Sequence, residues 1–245
     1  MKNYLLVLIA LGFLENSSRA VNPAALIDVA MGYSSSDDDH DFYIFTTNSA
    51  TNSYFCSLVG NKNGTPAAAK YMAHNLLTNV IKKYHDSGDW QDALKQGLVI
   101  TNQNFSTMFR NNETASGTIV SIRNGKIIVT QVGNASAILI NRRKPLPLTS
   151  SKTQSPGEPS VQIVPLRAGL SCVLIATAEF WQRRDIGKTT AFCLDYLDGL
   201  GLNTIADLQT GASDIANGLV NSVIRNLNED QKLAIRVMVI LIKSS

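Results

Sequence analysis

A chain of 245 residues with 44% hydrophobic and only 17% charged residues can bury one large core or two modest ones, and it reads as one globular domain. Its net charge is +3 and its basic residues are scattered, with Lys82-Lys83, Arg142-Arg143-Lys144 and Arg183-Arg184 as the densest groups, so nothing indicates nucleic-acid binding. Three cysteines, Cys56, Cys172 and Cys193, fall in or beside apolar runs without a CxxC pair; they read as small buried hydrophobes, not a zinc site or disulfide framework, and their odd count favours a reducing compartment.

The N-terminus speaks for the opposite compartment. Lys2 precedes the apolar run Tyr4–Leu14, and Ser18-Arg19-Ala20 carries small residues at −3 and −1, so residues 1–20 fit a cleaved signal peptide. The run is too short to span a bilayer. Glu15 and the single basic residue fit a signal peptide less well, and both localisations, secreted and cytoplasmic, stay open. Sequons at Asn63, Asn104, Asn112 and Asn134 fit secretion without deciding it, because such short patterns arise often by chance.

Ala25–Met31 and Asp41–Thr46 read as strands joined by Gly32-Tyr33-Ser34-Ser35-Ser36 and the acidic run Asp37-Asp38-Asp39-His40. A third strand, Tyr54–Val59, ends in the turn Gly60-Asn61-Lys62-Asn63-Gly64. Thr65 and Pro66 then open a helix whose Ala69, Met72, Ala73, Leu76, Val80 and Tyr84 share one face. Asp89 caps a second helix with the stripe Trp90, Ala93, Leu94, Leu98, Thr101, Phe105 and Met108. Thr118–Ile122 and Ile127–Val132 flank Arg123-Asn124-Gly125-Lys126, and Asn-Gly is the pair a type I′ turn requires, so this is a hairpin. A second turn at Gly133-Asn134-Ala135-Ser136 and the run Ala137–Ile140 extend it to a three-stranded meander in the middle of a covered sheet.

Arg142–Pro159 has no periodicity and reads as loop. Val161–Leu166 and Cys172–Thr177 are expected to pair across Arg167-Ala168-Gly169. Helices follow at about Lys188–Leu197 and Asp214–Leu227, and the apolar run Leu233–Ile242 closes the chain as a strand buried in a sheet. Strands, two helices, strands, two helices, strand: this order is α+β, with helices segregated onto sheet faces.

Several of these segments, in this order, resemble the metal-dependent type 2C (PPM) serine/threonine protein phosphatases. Phe55–Leu77, FCSLVGNKNGTPAAAKYMAHNLL, resembles that family's strand, DGHGG turn and first helix, and Ser116–Ile140 resembles its GGSTAV…NVGDSRAVL hairpin. Leu174–Gln182, LIATAEFWQ, is similar to LILASDGLWD, while Ile235–Lys243 fits the closing DNITVIVV strand. Gly32-Tyr33-Ser34-Ser35, followed by His40-Asp41, resembles the opening strand and acidic pair. The resemblance covers residues 25–245 and implies a four-layer α-β-β-α sandwich of two antiparallel sheets with helix pairs outside.

In that family aspartates at strand ends hold two divalent metals, because Mg²⁺ and Mn²⁺ prefer hard oxygen ligands and must acidify the water that attacks phosphorus. Here the Asp of DGHGG falls at Gly60, the Asp of ASDG at Ala178 and the Asp before the last strand near Leu233, while the DGHGG histidine falls at Lys62. The Asp of GDSR becomes Asn134. Only Asp41 keeps its acidic type, and Ser34–Asp39 offers no counterpart of the family's phosphate-binding arginine. Thr149–Glu158 is all that stands where the family carries a flap and a GxLxVSRxFGD segment, so the flap region reads as deleted.

The resemblance therefore implies a fold without its chemistry: a catalytically inactive phosphatase-like module, with no catalytic residue and no cofactor expected, that works by binding a kinase, a phosphatase or a phosphoprotein. The alternative is a diverged, weakly active Mg²⁺- or Mn²⁺-dependent serine/threonine protein phosphatase using Asp41, the cluster Asp37, Asp38, Asp39 and, through a strand bulge, Asp230 or Glu229. Without an EF-hand spacing, Asp37-Asp38-Asp39-His40-Asp41 reads first as a solvated turn. His74 reads as a packing residue and His85 as a cation near a helix C-terminus. Phe180 and Trp181 read as core anchors, and Ser57, Ser116 and Ser136 lack the spacing of a hydrolase triad.

Overall fold

The computed structural model describes residues 27–36, 43–48, 53–61, 66–108, 115–133, 135–141, 145–149, 159–199, 204–225 and 235–244. Along the chain run strands β1 (Ile27–Ser35), β2 (Tyr43–Asn48) and β3 (Ser53–Asn61), helices α1 (Pro66–Ser87) and α2 (Trp90–Met108), and strands β4 (Ala115–Arg123), β5 (Lys126–Val132), β6 (Ser136–Ile140), β7 (Leu146–Pro147), β8 (Ser160–Pro165) and β9 (Gly169–Ala176). Helices α3 (Ala178–Arg183), α4 (Ile186–Gly199) and α5 (Ile205–Ile224) and the closing strand β10 (Arg236–Ser244) complete it. They form two five-stranded antiparallel sheets, ordered β1-β10-β9-β6-β7 and β2-β3-β4-β5-β8. The expected α-β-β-α sandwich is the architecture found.

Three apolar clusters define the layers. Phe55, Val59, Ile119, Ile128 and Val132 carry α1 and α2 through Met72, Leu76, Leu94 and Leu98. Ile138, Cys172, Leu174, Val237 and Val239 carry α4 and α5 through Cys193, Ala212, Ile215 and Leu219. Between the sheets lie Val29, Met31, Cys56, Leu58, Val120, Ile127, Val173, Ile175, Met238 and Ile240. Because side chains alternate across a strand, β9 and β10 send one set to the helices and the other to the opposite sheet, which is why both read as nearly unbroken apolar runs.

Local chemistry sets the element ends. Asn124 (φ 51°) and Gly125 (φ 68°) both take positive φ, the requirement of the β4–β5 hairpin. Asp89 caps α2, its Oδ1 accepting from the amides of Gln91 (2.8 Å) and Asp92 (3.1 Å). Thr204 and Asp207 form a capping box that opens α5. The corner between α1 and α2 is fixed to β4 by the Trp90 indole N–H, which donates to Ser121 Oγ (2.8 Å), and by Arg123, whose guanidinium lies 5.0 Å from the Tyr84 ring centre and 5.4 Å from that of Trp90.

Two expected strand pairings are wrong. β6 does not extend the hairpin into a meander: after Gly133 the chain crosses to the other sheet, where Ser136–Ile140 pairs with Ala176–Cys172 of β9. Likewise β8 and β9 do not pair with each other. β8 adds to β5, and β9 lies between β6 and β10 in the opposite sheet. Strands buried on both faces carry no mark of which sheet they join, so the short connections imitate hairpin turns.

Other differences are local. Gly32–Ser35 is not a connection but the second half of β1, paired with Val239–Arg236. A Cβ at Gly32 would run into the Ala212 backbone, so its glycine lets α5 lie directly on the strand. His74 is exposed on α1 and does not pack, and Met108 leaves the α2 stripe at 67% exposure. The three cysteines are buried and free. Burial pushes the Cys56 thiol up, and Cys172 is raised first by its hydrogen bond with Cys193 and then by burial. Among the described residues no helix is long and apolar enough to cross a membrane.

Candidate functional site

At one end of the layer between the sheets the strand ends converge. Sheet one brings the last residues of β1 and β9 and the first of β6 and β10; sheet two brings the last of β3 and β5 and the first of β2 and β4. The rings of Tyr33 on β1 and Tyr43 on β2 stack with centres 4.5 Å apart, tying the two sheets together here. β5 reaches β6 across the same end through Gly133 and Ala135.

Gly60 sits in β3 opposite Ser116 of β4, two residues beyond Leu58, on the inter-sheet face by alternation. Ala178 is the first residue of α3, directly after the N-cap Thr177. Thus the structure brings Gly60 and Ala178, two of the three positions onto which the resemblance maps ligand aspartates, to the same end of the sandwich. Leu233, Asp41, the cluster Asp37–Asp39, Lys62, Asn134, Glu229 and Asp230 lie outside the described residues, as does the segment 1–20.

Polar groups gather at this end of the layer. Thr118 Oγ1 donates to the Ala135 carbonyl (3.0 Å), and Gln131 Nε2 donates to those of Gly133 (3.0 Å) and Ala135 (2.6 Å), which holds the β5–β6 crossover. Thr177 N–H donates to the Arg236 carbonyl (3.1 Å), and Arg236 N–H donates back to Thr177 Oγ1 (3.2 Å). Ser36 and Ile235 make a second such pair, at 3.0 and 3.2 Å. The Trp181 indole N–H donates to the Ser136 carbonyl (3.2 Å) while Phe180 fills the core beneath α3, the anchoring role expected of both.

Sequence reasoning missed Arg236. It is the first residue of β10 and pairs with Ser35, two residues before the inter-sheet Met238, and so shares that face. Only 4% of it is exposed, and its Nε has no hydrogen-bond partner. Its signal in the sequence is one cation within the run LAIRVMVILI.

The donor set among the described residues does not fit a divalent metal pair. Gly60 has no side chain, Ala178 offers a methyl group, and a guanidinium occupies the adjoining strand end. Among the described residues no three His, Cys, Asp or Glu side chains gather as a metal-binding group.

No protein-family model matches the sequence, and no curated protein does. Solved structures do match the fold. The serine/threonine phosphatase of S. agalactiae superposes with a TM-score of 0.63 at 11% identity, over 90% of this chain and 100% of that one. The serine/threonine phosphatase PstP/Ppp of Mycobacterium tuberculosis gives 0.59 at 9% identity over 89% and 98% of the two chains. The phosphatase domain of SpoIIE from Bacillus subtilis gives 0.57 at 13% identity over 91% and 93%. The chain has the fold of the PPM-type serine/threonine phosphatases.

Proposed function

We propose that this chain is a catalytically inactive PPM-type phosphatase-like module that acts by binding a protein partner in phospho-signalling, a kinase, a phosphatase or a phosphoprotein. One observation carries the reading: Gly60 and Ala178 share the end of the inter-sheet layer, where the resembled family needs carboxylates, while the cores that shape the sandwich are intact. Hydrolysis in that family depends on a metal-activated water, whose formation and charge stabilisation each supply several kcal/mol. A methyl group and a hydrogen atom supply neither. What remains is a sandwich that resembles a phosphatase in fold.

The test is a phosphatase assay on the purified full chain with p-nitrophenyl phosphate and a phosphoserine peptide, with and without Mn²⁺. The expected result is no Mn²⁺-dependent turnover. Mn²⁺-dependent hydrolysis that disappears in Asp41→Ala would establish a weakly active metalloenzyme instead.

A further inference from the structure

We propose that Arg236 turns the end of the inter-sheet layer into a metal-independent oxyanion site for a phosphomonoester. The inference deepens the binding reading above and rests on it for the kind of partner. An arginine carries its charge into the interior, and a buried charge left without a counter-charge is strongly destabilising. Arg236 is 4% exposed and its Nε lacks a partner.

Its described neighbours do not relieve it. Gln131 and Thr118 donate to carbonyls of the crossover, and Thr177 Oγ1 accepts from the Arg236 main-chain N–H and not from the guanidinium. Ser57, Thr130 and Arg184 also hold an unpartnered buried atom, but Ser57 and Thr130 face the α1–α2 side, and Arg184 donates through Nη1 to Ser222 of α5 (2.8 Å). Among the described residues Arg236 alone combines burial, charge and a position on the inter-sheet face at the strand ends.

The fork of a guanidinium matches two oxygens of a tetrahedral phosphoryl group, and such charge-assisted pairs are the strong ones. A phosphomonoester dianion can supply the missing charge by accepting from the guanidinium. A divalent metal there would instead place like charges together.

The test is calorimetric titration of the full chain in EDTA with inorganic phosphate, then with a phosphoserine peptide and its unphosphorylated form. Arg236→Gln, Arg236→Lys and, as a control away from the cleft, Arg184→Gln are compared. Saturable phosphate binding is expected in the wild type and in Arg184→Gln. Arg236→Gln should weaken it by about tenfold or more, with Arg236→Lys between the two. Binding of the phosphopeptide, and not of its unphosphorylated form, assigns the site to phosphoproteins; binding of inorganic phosphate alone assigns it to the free anion.

The proposal is overturned if the wild type binds no phosphate, or binds it equally after Arg236→Lys and Arg236→Gln. Should Arg236→Gln not fold, the wild-type titration and Arg236→Lys decide. Absence of phosphate binding without Mn²⁺-dependent turnover removes this inference and leaves the inactive reading. Turnover with Mn²⁺ removes that reading and leaves the metal-free titration to be judged alone.

Discussion

The two ends of the inter-sheet layer are built from the same strands and differ in charge. At one end Ile27, Ile122, Ile127 and Ile242 close the layer, with the neutral Ser171 buried opposite Ile242 and the Tyr54 hydroxyl donating to the Ile27 carbonyl (2.8 Å). At the other end the layer finishes on Thr118, Gln131, Thr177 and Arg236, all buried. The first end is what hydrophobic burial produces by default. The second holds a charge that folding alone disfavours, and local departures of this kind mark where a structure is kept for something besides stability. Hydrophobic burial thus accounts for the apolar body and leaves the charged strand ends unexplained.

The largest effect is expected from breaking the apolar body. Leu58 is fully buried between the sheets, so Leu58→Ala should cost about 3–4 kcal/mol in urea unfolding of the full chain. A loss below about 1 kcal/mol would mean that the layer is not close-packed.

The cleft end should respond with the opposite sign. In phosphate-free buffer Arg236→Met removes a buried charge with an unpartnered Nε while keeping most of the side-chain volume, so stability should hold or rise by about 1–3 kcal/mol. Loss of about 3–5 kcal/mol would instead reveal a counter-charge from the chain itself, and with it a purely structural arginine.

Changes outside the layer should be smaller. Gly125→Ala forces a side chain onto a φ of 68° and should cost about 1–2 kcal/mol, read from the same unfolding curves. Thr204→Ala removes half of the α5 capping box and should cost about 1 kcal/mol. Neither should alter phosphate binding, because neither residue lies at the Arg236 end of the layer.

Much of this scaffold was legible in the residues, and specific chemistry made it so. Asn124-Gly125 fixed the hairpin, Asp89 the start of α2, and the 3.6-residue stripe of Met72, Leu76 and Val80 the buried face of α1. Sheet membership was not legible. β6, β9 and β10 are buried on both faces, so their pattern says strand without naming a neighbour, and the partners are set by contacts far along the chain. Helix α3 escaped because six residues are too few to show a helical period.

The candidate site was legible only in part. Gly60 and Ala178 became meaningful through the resemblance of their surrounding segments, since a glycine and an alanine carry no chemical signal of their own. Arg236 was passed over because the run around it reads as core, and its role appears only when register places it on the inter-sheet face at the strand ends. One cation inside an apolar strand is the feature that could have raised the question earlier.

The central claim is that this end of the sandwich no longer works as a two-metal centre, and calorimetric titration of the full chain with Mn²⁺ tests it most directly. No heat of binding at millimolar metal is predicted. Saturable Mn²⁺ binding that is lost in Asp41→Ala would contradict the account and restore a metal-dependent phosphatase.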